Sequence, residues 1–177
     1  MIKGGTGGAN TNLTGLRFEK NTDLADALIS LGYLVEADEV RGDAGLFCLL
    51  MRKRSLYRFL KRKGVDYLDY MSNMMEPDEC AYFPDSNHFL IVEKKWQETS
   101  GSVDEKLAAC DFKLRRYQRL FASIGAGVTM VYLLNDYFKQ DRYRDVISYM
   151  KESGCQVYFE ELPHDILIEC STPSSRT

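Results

Sequence analysis

Histidine is almost missing from this sequence: His88 and His164 are the only two, so histidine-based zinc chemistry and a Ser-His-Asp triad have little raw material. The five cysteines, Cys48, Cys80, Cys110, Cys155 and Cys170, are scattered, odd in number and never spaced C-x-x-C. That argues against a disulfide framework and a thiolate zinc site, and leaves reduced, mostly core residues. No apolar run approaches the ~20 residues of a membrane span. The opening MIKGGTGGANTNL lacks the basic-then-apolar form of a signal peptide, so a cytoplasmic protein without a membrane partner is expected. The early glycines are not followed by Gly-Lys-Ser/Thr, which rules out a phosphate loop.

What is present suits one domain. The 177 residues are 45% hydrophobic and 28% charged, enough for a single sizeable core. Residues 1–13 and 171–177 read as flexible ends. The formal net charge of −3 would by itself count against a nucleic-acid partner, but the distribution differs from the sum. Arg52, Lys53, Arg54, Arg58, Lys61, Arg62 and Lys63 fall together with no acid among them, and Lys113, Arg115, Arg116 and Arg119 form a second cluster. Local basic stripes are what phosphates meet; solvated helix faces are the alternative.

Periodicity predicts a first helix over 15–31, with Leu16, Leu24, Leu28 and Leu31 on one face and Glu19 at its edge. The GGTGGAN stretch before it reads as a flexible lead-in or as a place of close backbone approach to a DNA strand. A strand at 45–51 and a basic helix at 55–63 follow, then one or two helical turns within 67–75. The hairpin comes next, with strands at about 78–83 and 89–96 joined by the turn PDSN. Ser102 and Glu105 have the form of a capping box opening one long helix that Gly125 closes. The run 128-VTMVYLL-134 reads as a buried strand, 141–154 as a helix and 155–162 as a last strand. The expected fold is α/β, a mixed central sheet flanked by helices.

The chemistry concentrates in 89-FLIVEKKW-96. Strand side chains alternate faces, so Glu93 and Lys95 project together, with Lys94 and Trp96 opposite; Trp96 is expected to pack. A turn centred near Ser86–Asn87 would set Asp78 opposite about Lys95. Asp85 would then be a turn residue, roughly 25 Å from Glu93 at the strand rise per residue. Two carboxylates at one strand edge repel unless a cation neutralises them, and carboxylates with waters suit Mg²⁺. Such an ion acidifies a bound water and offsets charge on a phosphate oxygen, while Lys95 orients or helps deprotonate the water and stabilises the transition state. Hydrolysis of a phosphodiester is implied.

The segment P-D-x(14)-E-K-K on two adjacent strands, with helices before and after, resembles the PD-(D/E)XK nuclease superfamily. EKKWQETSGSVDEKL followed by DFKLRRYQRL, with 15-GLRFE-19 upstream, is similar to small type II restriction endonucleases within it. The resemblance spans roughly 14–160 and implies a restriction-endonuclease-like αβββαβ core. By residue, it implies Asp78 and Glu93 as metal-binding acids, the Lys94 carbonyl as a further ligand and Lys95 as the catalytic lysine. It also implies Glu19 as an acid for a second metal or for water positioning. Gln97, one strand period past Lys95, would touch the attacking water or DNA, or simply face solvent. Lys106, Lys113, Arg116, Arg119, Arg54 and Arg58 are the candidates for the DNA backbone. The implied cofactor is Mg²⁺, with Mn²⁺ as a substitute. The implied partner is double-stranded DNA, cut by a homodimer whose symmetry mirrors a palindromic site, with a cognate methyltransferase in the host. A repair, recombination or phage nuclease reading DNA structure, and a non-catalytic DNA-binding module of the same fold, are the alternatives.

Overall fold

The computed structural model describes residues 23–99 and 103–173. Within them a seven-stranded sheet has its strands in chain order: β1 (Leu34–Glu36), β2 (Glu39–Gly42), β3 (Gly45–Met51), β4 (Glu79–Phe83), β5 (His88–Lys95), β6 (Gly127–Leu134) and β7 (Gln156–Phe159). The first five pair antiparallel, whereas β6 runs parallel to β5 and β7 parallel to β6. The helices are α1 (Leu24–Ser30), α2 (Ser55–Arg62), α3 (Val103–Ala108), α4 (Cys110–Ala122), α5 (Arg144–Glu152) and α6 (His164–Ser171). This is the expected α/β fold with a mixed sheet between helices.

Period-two alternation divides the core into two layers. Cys80, Tyr82, Phe89, Ile91, Met130 and Tyr132 face the side covered by α2, α4 and α5. Ala81, Phe83, Leu90, Val92, Val131 and Leu133 face α1 and α6. Both faces of β4, β5 and β6 are therefore buried, which is why these strands read as continuous apolar runs. Each fully buried Leu, Ile or Phe contributes about 1.5–3 kcal/mol from removal of its surface from water. α4 is fixed to β5 by the Phe89 and Phe121 rings, stacked with centroids 3.9 Å apart, so the helix and the strand that meet at the site are packed as a unit. All five cysteines are buried and free.

Several sequence expectations change. The first helix begins, among the described residues, at Leu24, capped by the Asp23 side chain on the Ala25 and Asp26 amides; its predicted part over 15–22 lies outside them. The β1–β2 hairpin and α6 were not anticipated, the first because its strands are only three and four residues long. Ser171, assigned from the sequence to a flexible tail, ends α6. The single helix expected from 102 to 124 is divided at Ala109, whose φ of −80° and ψ of 7° leave the helical ladder; Ser102 lies outside the described residues. Residues 67–75 hold only a 3₁₀ turn, Tyr67–Asp69, and the last strand stops at Phe159 rather than 162. Among the described residues no helix is long and apolar enough to cross a membrane.

The hairpin register also differs. Glu79 pairs with Val92 and Phe83 with His88, so continuing the ladder by one residue sets Asp78 across from Glu93, not Lys95. The strands are joined by the four residues 84–87, closed by the Asn87 amide donating to Pro84 O at 3.2 Å, with Asn87 at φ 50° accepting the left-handed conformation that asparagine tolerates. Asn87 is held there by Tyr82, whose hydroxyl donates to its Oδ1 at 3.0 Å, and by its own Nδ2 donating to Ile124 O at 3.1 Å.

Candidate active site

β3 ends, β4 begins and β5 ends at one edge of the sheet, because the three strands run antiparallel in sequence. Asp78 stands just before β4, and Glu93, Lys94 and Lys95 close β5. Alternation is obeyed: Glu93 and Lys95 lie on the α4 face, and Lys95 Nζ is 3.0 Å from Glu93 Oε2. The same ammonium is 3.3 Å from Asp78 Oδ2 and 2.9 Å from the Lys94 carbonyl oxygen. Asp78 Oδ2 also accepts the Lys94 amide at 2.8 Å, which holds the carboxylate over the strand end. Asp78 is exposed at the lip, at 45%, whereas Glu93 is at the floor, at 6%.

Asp78 is positioned from the other side as well. Tyr57 of α2 accepts the Met75 amide at 2.8 Å and donates to the Met75 carbonyl. Tyr117 of α4 donates to that same carbonyl at 3.2 Å. Arg116 donates to Asn73 O and Oδ1 at 2.6 and 2.8 Å. Three hydrogen-bonding side chains, Tyr57, Arg116 and Tyr117, and the Pro77 ring thus restrict the segment leading into Asp78, as a preorganised site requires.

The electrostatics follow from burial. Removal from water works against the Lys95 ammonium, but the Glu93 and Asp78 carboxylates beside it outweigh that and raise its pKa. Lys113 of α4 brings a second ammonium to Glu93, its Nζ 2.8 Å from Oε2. Two carboxylates and two ammoniums therefore compensate one another at this edge. On the opposite face Lys94 pairs with Glu79, both side chains nearly buried. Glu79 Oε2 accepts the Leu24 amide at 2.9 Å. Burial, opposed by Lys94, raises the Glu79 pKa.

Asp78, Glu93, Lys94 and Lys95 are thus brought together as their spacing suggested. Lys113, expected on the DNA backbone, is instead drawn into the site by Glu93. Arg116 is occupied by Asn73. Arg54 pairs with Glu76 at 3.3 Å, and Arg58 is exposed beside a different hollow, next to Asp38 and Glu39. Lys106 and Arg119 are exposed on α3 and α4. Gln97 is not solvent-facing but buried: its amide nitrogen donates to Thr99 O, and its backbone N donates to Asn135 Oδ1 at 3.1 Å. Glu19 lies outside the described residues. Trp96 packs in the α1–α6 layer.

Sequence reasoning missed Glu79 and Tyr132. Glu79 could have been found, since alternation from Asp78 and from Glu93 sends Glu79 and Lys94 to one face. Tyr132 sits beside Glu93 in the β5–β6 ladder; burial first, then the Glu93 charge, pushes its phenol pKa far up. The Tyr132 hydroxyl is buried without a hydrogen-bond partner among the described residues. No pattern in the sequence marked it, because the parallel pairing of β5 with β6 had to be known first.

Asp78 Oδ2, Glu93 Oε2 and the Lys94 carbonyl oxygen all lie within 3.3 Å of one cationic nitrogen. Three hard oxygens converging on a cation, two of them anionic, are a donor set suited to Mg²⁺ or Mn²⁺, which take oxygen ligands and retain waters. Comparison of the chain with family models, with curated proteins and with solved structures found no match.

Proposed function

We propose that this chain is a Mg²⁺-dependent DNA endonuclease with a restriction-endonuclease-like core, cutting double-stranded DNA at a defined sequence in the manner of a type II restriction enzyme. The observation that carries the reading is the convergence of Asp78, Glu93 and the Lys94 carbonyl on the Lys95 ammonium. The order α1, β3, β4, β5, α3–α4, then β6 parallel to β5, with β1 and β2 added before β3 and α2 between β3 and β4, supports it.

Asp78, Glu93 and the Lys94 carbonyl would hold the metal, which would supply charge neutralisation at the phosphate and a more acidic water. Lys95 offers N–H donors toward the same locus, where it orients the attacking water and stabilises the negative charge that builds on the phosphate. The water oxygen bonds to phosphorus in line as the bond to the departing sugar oxygen breaks. Lys113 holds Glu93 in place from α4. The open lip at Asp78 admits the backbone, while the buried floor at Glu93 keeps the charges effective in a low-dielectric setting. A homodimer on a palindromic site would place one such edge at each strand.

The test is cleavage of unmethylated phage DNA by wild type and Lys95→Ala, each with Mg²⁺ or with chelator. Discrete fragments from wild type with Mg²⁺ alone are expected, with the rate of Lys95→Ala lower by about 10²–10³, the usual cost of losing one transition-state donor. Intact DNA in every lane, or equal cutting by the variant, overturns the reading.

A further inference from the structure

We infer that Lys53 binds a DNA phosphate next to the one being cut, in the hollow that opens beside Asp78; this rests on the nuclease reading above. The hollow, about 390 Å³, is lined by Asp23, Arg52, Lys53, Glu76, Asp78 and Lys94 among others. Its acids already face bases. Arg52 holds Asp23 at 2.5 Å, Arg54 holds Glu76 at 3.3 Å, Lys94 holds Glu79, and Lys95 lies 3.3 Å from Asp78. Lys53 has no ion-pair or hydrogen-bond partner among the described residues, so its charge is the one left over in the lining.

The backbone at Lys53 points the same way. It follows β3 and leads to α2 in the left-handed region, at φ 50°, where residues with a Cβ are uncommon. A glycine would make this turn without strain. The chain has a lysine there, and a strained residue in a cleft beside reactive groups is where strain serves function. The side chain is exposed and flanked by Arg52 and Arg54, whose own ion pairs keep them from competing for the ligand. A phosphate bound by Lys53 would lie on the β3 side of Asp78 and hold the strand across the lip.

The experiment is equilibrium binding of a DNA duplex in Ca²⁺, a hard cation used here to replace Mg²⁺, at several KCl concentrations. It compares wild type with Lys53→Ala, Lys53→Gly, Lys53→Arg and, as a control, Lys151→Ala on α5, which contributes nothing to the hollow. Loss of one phosphate contact should reduce the slope of log K against log salt by about 0.9 in the alanine and glycine variants. The arginine variant and Lys151→Ala should keep it. Lys53→Gly should melt no lower than wild type, which separates lost binding from lost folding. An unchanged slope in Lys53→Ala, or an equal loss in Lys151→Ala, overturns the assignment while leaving the nuclease reading standing. Absence of DNA binding by wild type overturns both.

Discussion

Lys113 Nζ and Lys95 Nζ both reach Glu93 Oε2, at 2.8 and 3.0 Å, one from a helix and one from the strand that carries Glu93. The two lysines are not equivalent. Lys95 also touches Asp78 and the Lys94 carbonyl, whereas Lys113 meets, among the described residues, the Glu93 carboxylate alone; in the proposed nuclease it would orient Glu93 and leave the phosphate to Lys95.

Lys113→Ala should weaken the apparent Mg²⁺ affinity or activity by about 10–100-fold, the range for groups that orient metal ligands. Titration of cleavage rate against Mg²⁺ checks this. Saturating metal should recover most of the rate in Lys113→Ala but not in Lys95→Ala.

The Glu79–Lys94 pair is nearly dry, with side chains 8% and 7% exposed. Removing one partner of such a pair costs about 3–5 kcal/mol, because the other charge stays buried. Glu79→Ala should therefore lower the urea midpoint strongly, and it also takes away the acceptor of the Leu24 amide that anchors α1. Replacing both residues with apolar ones of similar volume should recover most of the loss.

Gly127 and His88 pair at the start of β6 and β5, and a Cβ on Gly127 would fall 2.5 Å from His88 Nδ1. Gly127→Ala should cost about 1–3 kcal/mol, as overpacking does, and His88→Ala in the same chain should relieve it. A thermal-melt comparison of the single and double variants decides the matter.

His88 also supplies a pH dependence. Burial lowers its pKa below the ordinary value of 6.5, with the ring 2.9 Å from Thr129 Oγ1. The unfolded chain therefore binds this proton more readily than the folded one. The contribution is whole above about pH 6.5, the unfolded value, and is lost as pH falls from there through the lower folded value. His88→Gln should remove this part of the slope in urea melts between pH 7.5 and 5; an identical slope in both proteins contradicts it.

Tyr132→Phe should raise stability by about 1 kcal/mol, since it deletes a buried hydroxyl with no partner among the described residues and keeps the ring. Denaturant unfolding reads this directly, and a loss of stability would mean that the hydroxyl is satisfied in solution.

By itself the sequence determined the strands β4, β5 and β6, because their apolar runs admit burial on both faces and little else, and also β3, although that strand is only partly buried. Alternation likewise settled that Glu93 and Lys95 share a face away from Lys94 and Trp96, a consequence of the two-residue period of any strand. It could not determine the hairpin register, since a turn centred one residue later moves Asp78 from Glu93 to Lys95 without altering any local propensity. It could not foresee the break at Ala109, where local geometry leaves the helical ladder although the apolar spacing continues through it. Lys113 looked like a surface cation until the Phe89–Phe121 stacking set α4 against β5 and brought its ammonium to Glu93. Lys53, Glu79 and Tyr132 acquired their meaning in the same way, from neighbours distant along the chain. Local periodicity decides which residues share a face; only the packing of one element on another decides which charges meet.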